Sequence, residues 1–150
     1  MSECRVLSTN HVGLVVEDLD RFLVIMTELF DYTILDRGPR DVAIQSKVTG
    51  HPDANAEIAY ITAGGFTLEV ICYAKTTGTA RYLPKVVDIG HWHLSINIED
   101  IEKTRKAAAT YGLRELGSLI TVTAGPNTGN KILYLGTQEG IVIELTERHA

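Results

Sequence analysis

What this sequence lacks narrows its function before anything in it is read. Only two cysteines occur in 150 residues, Cys4 and Cys72, and neither has a partner at metal-binding spacing. A disulfide framework and a thiolate zinc cage are therefore excluded, and two reduced thiols are expected. Basic residues are too few and too scattered for a phosphate-binding surface: the net charge is −5, which argues against a nucleic-acid partner. No apolar run approaches the roughly 20 residues that span a bilayer, so no membrane partner is expected. The opening Met1-Ser2-Glu3-Cys4-Arg5 lacks the charged-then-apolar layout of a secretion signal, and the expectation is a cytoplasmic protein. Aromatics are sparse, at 7% with one Trp, a modest supply for stacking a large planar ligand. What remains is an ordinary globular composition, 45% apolar and 22% charged.

One stretch organises the rest. Gly90–Ile98 reads with a period of two as a strand whose faces differ. Trp92, Leu94, Ile96 and Ile98 point to a core, while His91, His93, Ser95 and Asn97 form a polar stripe. Burying such groups is costly unless something pairs with them. The stretch also has a twin: His11 to Asp20 matches His93 to Glu102 in residue type at most positions, with His, Glu and Asp identical at steps one, seven and eight. The chain contains its own half-copy.

Reading in order, Asn10 to Val16 is a strand. Asp18 or a neighbour caps a helix with apolar positions Leu19, Phe22, Leu23, Met26, Leu29 and Phe30. A short strand follows at Tyr32 to Leu35, and residues 38–55 fit either strand or a short helix before the Gly50-His51-Pro52-Asp53 loop. Glu57–Thr62 and Phe66–Tyr73 read as a hairpin around Ala63-Gly64-Gly65, which sets the carboxylate of Glu69 in an apolar strand. After a connector the order repeats: a helix over Glu99–Tyr111 closed by Gly112, a strand near Leu113 to Val122, and a hairpin of Lys131–Gly136 with Ile141–Thr146. Glu144 again stands mid-strand, four residues after Gly140 as Glu69 follows Gly65. Tyr60 and Tyr134 fall in the preceding strands, one residue out of register with each other. The expected fold is α+β: one domain over residues 1–150, built of two tandem βαβββ modules (about 8–74 and 89–147, connector about 75–88). They form a curved, cup-like mixed sheet with one helix per module outside.

With the helices over Val12, Leu14, Val16 and over Leu94, Ile96, Ile98, the residues His11, Glu69, His93 and Glu144 turn to the opposite, concave side. Two imidazoles and two carboxylates suit a divalent first-row ion with open positions, such as Ni, Co, Zn, Mn or Fe(II). The plainer alternative is a pair of internal Glu–His salt bridges lining a metal-free pocket. His91 and Tyr73 share faces with His93 and Glu69, and Asn97 lies further along the stripe; all three are candidate substrate contacts, although Tyr73 fits a packed core position as well. His51 and His149 are expected to be solvated.

The segments Asn10–Asp20, Thr67-Leu68-Glu69, His93–Ile101 and Gly140–Leu145 resemble the vicinal oxygen chelate superfamily, which includes glyoxalase I, methylmalonyl-CoA epimerase, extradiol dioxygenases and the fosfomycin and bleomycin resistance proteins. The resemblance covers essentially the whole chain and implies metal ligation by His11, Glu69, His93 and Glu144, a set most like bacterial glyoxalase I and, next, the epimerases. It implies a metal-dependent isomerase or lyase whose small-molecule substrate offers two adjacent oxygens and passes through an enediolate-like intermediate. Glu144 is then the expected base, with Glu69 as partner or second base. It also implies a homodimer. Two rivals follow from the same family: an Fe(II) extradiol-type dioxygenase using His11, His93 and Glu144, and a metal-free protein that sequesters a drug or natural product. The chain departs from the family pattern at Leu23–Met26 and Thr137–Gly140, and no arginine stands beside His11 to hold glutathione.

Overall fold

The computed structural model describes residues 5–149, so Cys4 lies outside the described residues; the Cys72 thiol donates to the Glu17 carbonyl at 3.5 Å. The chain divides into two compact units with the break after Ala80. No helix among the described residues is long and apolar enough to cross a membrane.

The first unit runs β1 (Val12–Val15), α1 (Leu19–Val24, continued by a wider π-helical turn, Ile25–Leu29), β2 (Thr33–Pro39), α2 (Val42–Thr49), β3 (Ala56–Ala63) and β4 (Phe66–Tyr73). Its strands lie in the order β1-β4-β3-β2, with β1 parallel to β4 and the other neighbours antiparallel. Asp18 starts α1 by accepting the Arg21 N–H at 3.0 Å, satisfying one of the donors that a helix leaves open at its first turn. The apolar stripe of α1 is buried at Leu19, Phe22, Leu23, Ile25 and Met26. Beneath it β4 contributes Leu68 and Val70 and β3 contributes Ala59 and Ile61, all fully buried. Each large side chain withdrawn from water this way contributes about 1.5–3 kcal/mol, so this layer holds the unit together. Gly64 and Gly65 both have positive φ, 57° and 80°, which a two-residue hairpin turn with the twist of its strands requires.

Residues 38–55 resolve into the end of β2 and a helix, so this unit carries a second helix beyond the one expected. Asp41 caps α2 through the Ile44 N–H, and no residue of α2 is buried.

The second unit repeats the plan with β5 (Leu94–Ile98), α3 (Ile101–Thr110), β6 (Arg114–Glu115), β7 (Ile120–Thr121), β8 (Lys131–Gly136) and β9 (Val142–Glu147). Strand order is β5-β9-β8-β6 with β7 also on β8, and β5 is parallel to β9. Asp100 caps α3 through the Lys103 N–H at 2.9 Å. The matching Asp of the two half-copies, Asp18 and Asp100, is thus a helix cap in both. Gly112 follows α3 at φ 76°, the left-handed closure expected there. Ile101 and Ala108 are buried, as are Leu94, Leu133, Leu135, Ile143 and Leu145 of the sheet.

Two expectations need correction. The strand expected from Gly90 begins only at Leu94, because residues 88–91 fold into a turn in which the His91 N–H reaches the Asp88 carbonyl. Trp92 therefore does not face the core and is 44% exposed. The single strand expected near Leu113 to Val122 is two short strands, each paired to β8 at a different end.

Candidate metal centre

In the first unit, cross-strand register sets the site. Gly13 of β1 and Tyr60 of β3 both pair with Glu69 of β4, so all three share the face away from α1, and His11 enters on that face two residues before Gly13. His11 Nε2 stands 3.2 Å from Glu69 Oε2, with side chains 30% and 17% exposed. The other carboxylate oxygen, Oε1, accepts the Tyr60 hydroxyl at 2.5 Å. That bond, followed by burial and the charge of Glu69, raises the Tyr60 phenol above its ordinary value. Tyr60 also meets the His11 ring edge-on, 5.5 Å between centroids.

His11 Nδ1 lies 2.6 Å from Asn10 Oδ1. A carboxamide oxygen only accepts, so Nδ1 carries the hydrogen in that bond. In the neutral ring Nε2 is then a bare lone pair facing a carboxylate oxygen. Two acceptors at 3.2 Å repel unless a second ring proton or a cation lies between them.

The second unit builds the same constellation. Ser95 of β5 and Tyr134 of β8 both pair with Glu144 of β9. His93 Nε2 is 3.0 Å from Glu144 Oε2, with side chains 35% and 16% exposed. The Glu144 Oε1 atom accepts the Ser95 hydroxyl at 2.9 Å and the Thr146 hydroxyl at 3.1 Å. The Tyr134 phenol is raised mainly by burial and then by the neighbouring Glu144 carboxylate. The His93 and Tyr134 rings are 5.0 Å apart.

Each pair has the spacing of two ligands on one ion. Donors about 2.1 Å from a metal and at right angles to each other stand about 3.0 Å apart, against 3.2 and 3.0 Å here. In both units one carboxylate oxygen is held by hydroxyl groups and the other faces the imidazole, so the residues present fit a divalent ion. The donors stand as two separate pairs, and no group of three or more His, Cys, Asp or Glu side chains placed to hold a metal ion occurs among the described residues.

The remaining predicted contacts behave differently from one another. His91 sits in the turn before β5, its ring 6.4 Å from that of His93, and its Nε2 is shielded from solvent without a hydrogen-bond partner. Asn97 accepts from Arg148 Nε at 3.2 Å, so its carboxamide oxygen is engaged within the unit. Tyr73 is half-buried at the end of β4, opposite Ala56. His51 and His149 are exposed. Sequence reasoning did not assign roles to Asn10, Tyr60, Tyr134, Ser95 and Thr146. The tyrosines look one residue out of register only because the first hairpin turns through two residues and the second through five; the strand pairing itself aligns them.

A duplicated α+β unit with two open mixed sheets and a His–Glu–Tyr group in each copy defines the class of fold. The chain belongs to the Glyoxalase/Bleomycin resistance protein/Dioxygenase superfamily, whose family description matches residues 8–145. Among curated proteins it is 33% identical over 149 residues to a 2-epi-5-epi-valiolone epimerase of an Actinomyces species, covering 93% of this chain and 78% of that one. Among solved structures it superposes on a glyoxalase family protein from Bacillus cereus with a TM-score of 0.83, at 23% identity over 100% of this chain and 99% of the other. It also matches the fosfomycin resistance protein FosX from Listeria monocytogenes, solved with Mn(II) and sulfate, with a TM-score of 0.64 and 10% identity over 97% and 95% of the two chains.

Proposed function

We propose that this protein is a metal-dependent isomerase of the epimerase type, moving a proton off and back onto a carbon beside a carbonyl in a small substrate with adjacent oxygens. The observation that carries the reading is the repeated His–Glu pair, each with its second carboxylate oxygen tied to a hydroxyl. The epimerase relative supports the reaction class.

The candidate ligands of a divalent ion are His11 and Glu69 in the first unit and His93 and Glu144 in the second. When bound, such an ion supplies Lewis acidity to a substrate carbonyl oxygen. The rest falls to the chain. Asn10 holds the His11 ring so that Nε2 faces the site. Tyr60 holds one oxygen of Glu69 and leaves the other turned to the imidazole. A carboxylate takes the substrate proton while the C–H electron pair enters the carbonyl framework, and return of the proton to the other face gives the epimer. Atoms and electrons balance without an oxidant. His91 Nε2, shielded and unpartnered, is a donor or acceptor available to a substrate oxygen.

The test uses 2-epi-5-epi-valiolone as first substrate, in D2O, with apo protein reloaded with Ni, Co, Zn or Mn. Metal-dependent deuterium incorporation and a second epimer by NMR are expected. Protein purified without added metal that contains iron and consumes oxygen on catechols would overturn the reading in favour of ring cleavage. A protein that binds none of these ions would overturn the metal.

A further inference from the structure

The first unit has an ion pair on its site face where the second is apolar. In β2 the register slips by one residue between Ile34 and Asp36, so that Asp36, and not Leu35, stands across from Tyr60. A bulge of this kind re-aims a side chain. Gly13, Glu69, Tyr60 and Asp36 are successive partners across β1, β4, β3 and β2, a row on one face with His11 at its head. Arg40 folds back over the end of that row: Nη2 donates to Asp36 Oδ2 at 2.5 Å, and Nη1 donates to the Gly38 carbonyl at 3.2 Å. Nη1 also lies 3.6 Å from where a Cβ of Gly38 would stand, and Gly38 shares the face of Asp36. Arg37, between them, turns the other way to Asp20 of α1 and to Glu57. Behind the Glu69 hydrogen bond and burial, both charges register at the Tyr60 phenol, Arg40 lowering it and Asp36 raising it. In the second unit the Leu116 N–H pairs with the Tyr134 carbonyl, and the Leu116 side chain lies over Gly136.

The Asp36 side chain is 60% exposed and that of Arg40 26%. A pair this open adds little to stability; what it offers is an acceptor set and a donor set side by side. Two carboxylates stand in the row against one guanidinium, so an anionic substrate meets net repulsion there. A hydroxyl both donates and accepts, and two on neighbouring carbons satisfy Asp36 and Arg40 together. Asp36 lies two strand spacings from Glu69, about 9–10 Å. A six-membered ring with oxygens on opposite carbons, plus one hydrogen bond of about 2.8 Å, spans that gap.

We infer that Asp36 and Arg40 determine specificity by holding neighbouring hydroxyls of a neutral, polyhydroxylated six-membered ring ketone whose reacting carbon lies at the His11–Glu69 end of the row. This rests on the proton-transfer reading above and names the substrate class it takes. It uses residues of the first unit alone.

The experiment compares kcat/KM for α-deuterium exchange of two ketones in D2O: a pentahydroxycyclohexanone, and 2-hydroxycyclohexanone, which keeps the adjacent oxygens and loses the remaining hydroxyls. Wild type should favour the first. Asp36→Asn and Arg40→Gln should each cut that preference about 10–100-fold. Arg37→Gln, which breaks ion pairs on the opposite face of the same strand, should keep it. Circular dichroism melts establish that each variant is folded. No preference in wild type, or one that survives both substitutions, overturns the inference while the proton-transfer reading stands. If neither ketone exchanges, that reading falls, and calorimetric titration with myo-inositol, a ring of hydroxyls without a ketone, decides the inference alone. Wild type should bind it, and Arg40→Gln at least about tenfold more weakly; no binding by wild type, or equal binding by the variant, overturns the inference.

Discussion

The two units share a plan and differ in which half of the donor pair they secure. In the first, the imidazole is held: Asn10 fixes His11 through Nδ1, while Glu69 has one hydroxyl partner. In the second, the carboxylate is held by Ser95 and Thr146, and Trp92 stands where the first unit has Asn10. The His–Glu pair is present in both copies, and the groups that hold it differ. A repeat therefore indicates where donors stand, and the differences around them indicate what each donor is able to do.

The largest expected contrast comes from the glutamates themselves. Glu69→Gln keeps an oxygen donor but cannot accept a proton, so deuterium exchange should fall about 10²–10⁴-fold with bound metal retained. Glu144→Gln makes the same change in the second unit, where Ser95 and Thr146 hold the group, and should also lower exchange. Identical behaviour of the two variants would erase the distinction between the units.

A smaller contrast is expected from the tyrosines. Tyr60→Phe removes the hydroxyl on Glu69 Oε1, whereas Tyr134→Phe leaves Ser95 and Thr146 on Glu144. Turnover should drop about tenfold in the first and by less in the second; an equal or reversed order would show that these hydroxyls do not govern the carboxylates.

The helix caps sharpen the comparison at the level of stability. Asp18→Ala and Asp100→Ala each remove a cap worth about 1 kcal/mol. The loss should be smaller at Asp100, because α3 has a second acceptor at its first turn: Glu147 Oε2 takes the Ile101 N–H at 2.8 Å. Chemical denaturation of the two variants measures the difference.

The smallest effect is one of pH. The Ile101 N–H, and then Lys131 at 2.6 Å, hold the Glu147 carboxyl below its ordinary value of 4.5. A carboxylate lowered on folding stabilises the native state above its unfolded value, and that contribution disappears as pH falls through the lower folded value. Wild type should therefore lose melting temperature more steeply than Glu147→Gln as pH is taken below about 4.5. Parallel curves would show that this contact does not contribute.

Much of this was legible in the sequence because it depends on local rules. Asp18 and Asp100 precede helical apolar periods, Gly64-Gly65 marks a tight turn, and alternation places Glu69 and Glu144 opposite buried neighbours. The family and the fold class followed from the same segments, and the family match over residues 8–145 agrees. What stayed open or was misread has physical causes. Residues 38–55 fit either strand or helix because α2 buries none of its residues and leaves no amphipathic signature. Trp92 was read by extending a period of two into residues that form a turn. The tyrosine partners were hidden by unequal hairpin turns, which shift sequence spacing without shifting strand register. The Ser95 and Thr146 bonds to Glu144 depend on pairing across two strand boundaries, which no single stretch records.

The central proposal is that the repeated His–Glu pairs are ligands of a divalent ion. Crystals grown with Co(II) and measured at the cobalt absorption edge test it directly. The expected result is anomalous density within about 2.0–2.2 Å of His Nε2 and Glu Oε2 at the His11–Glu69 and His93–Glu144 pairs. Density at neither pair would contradict it.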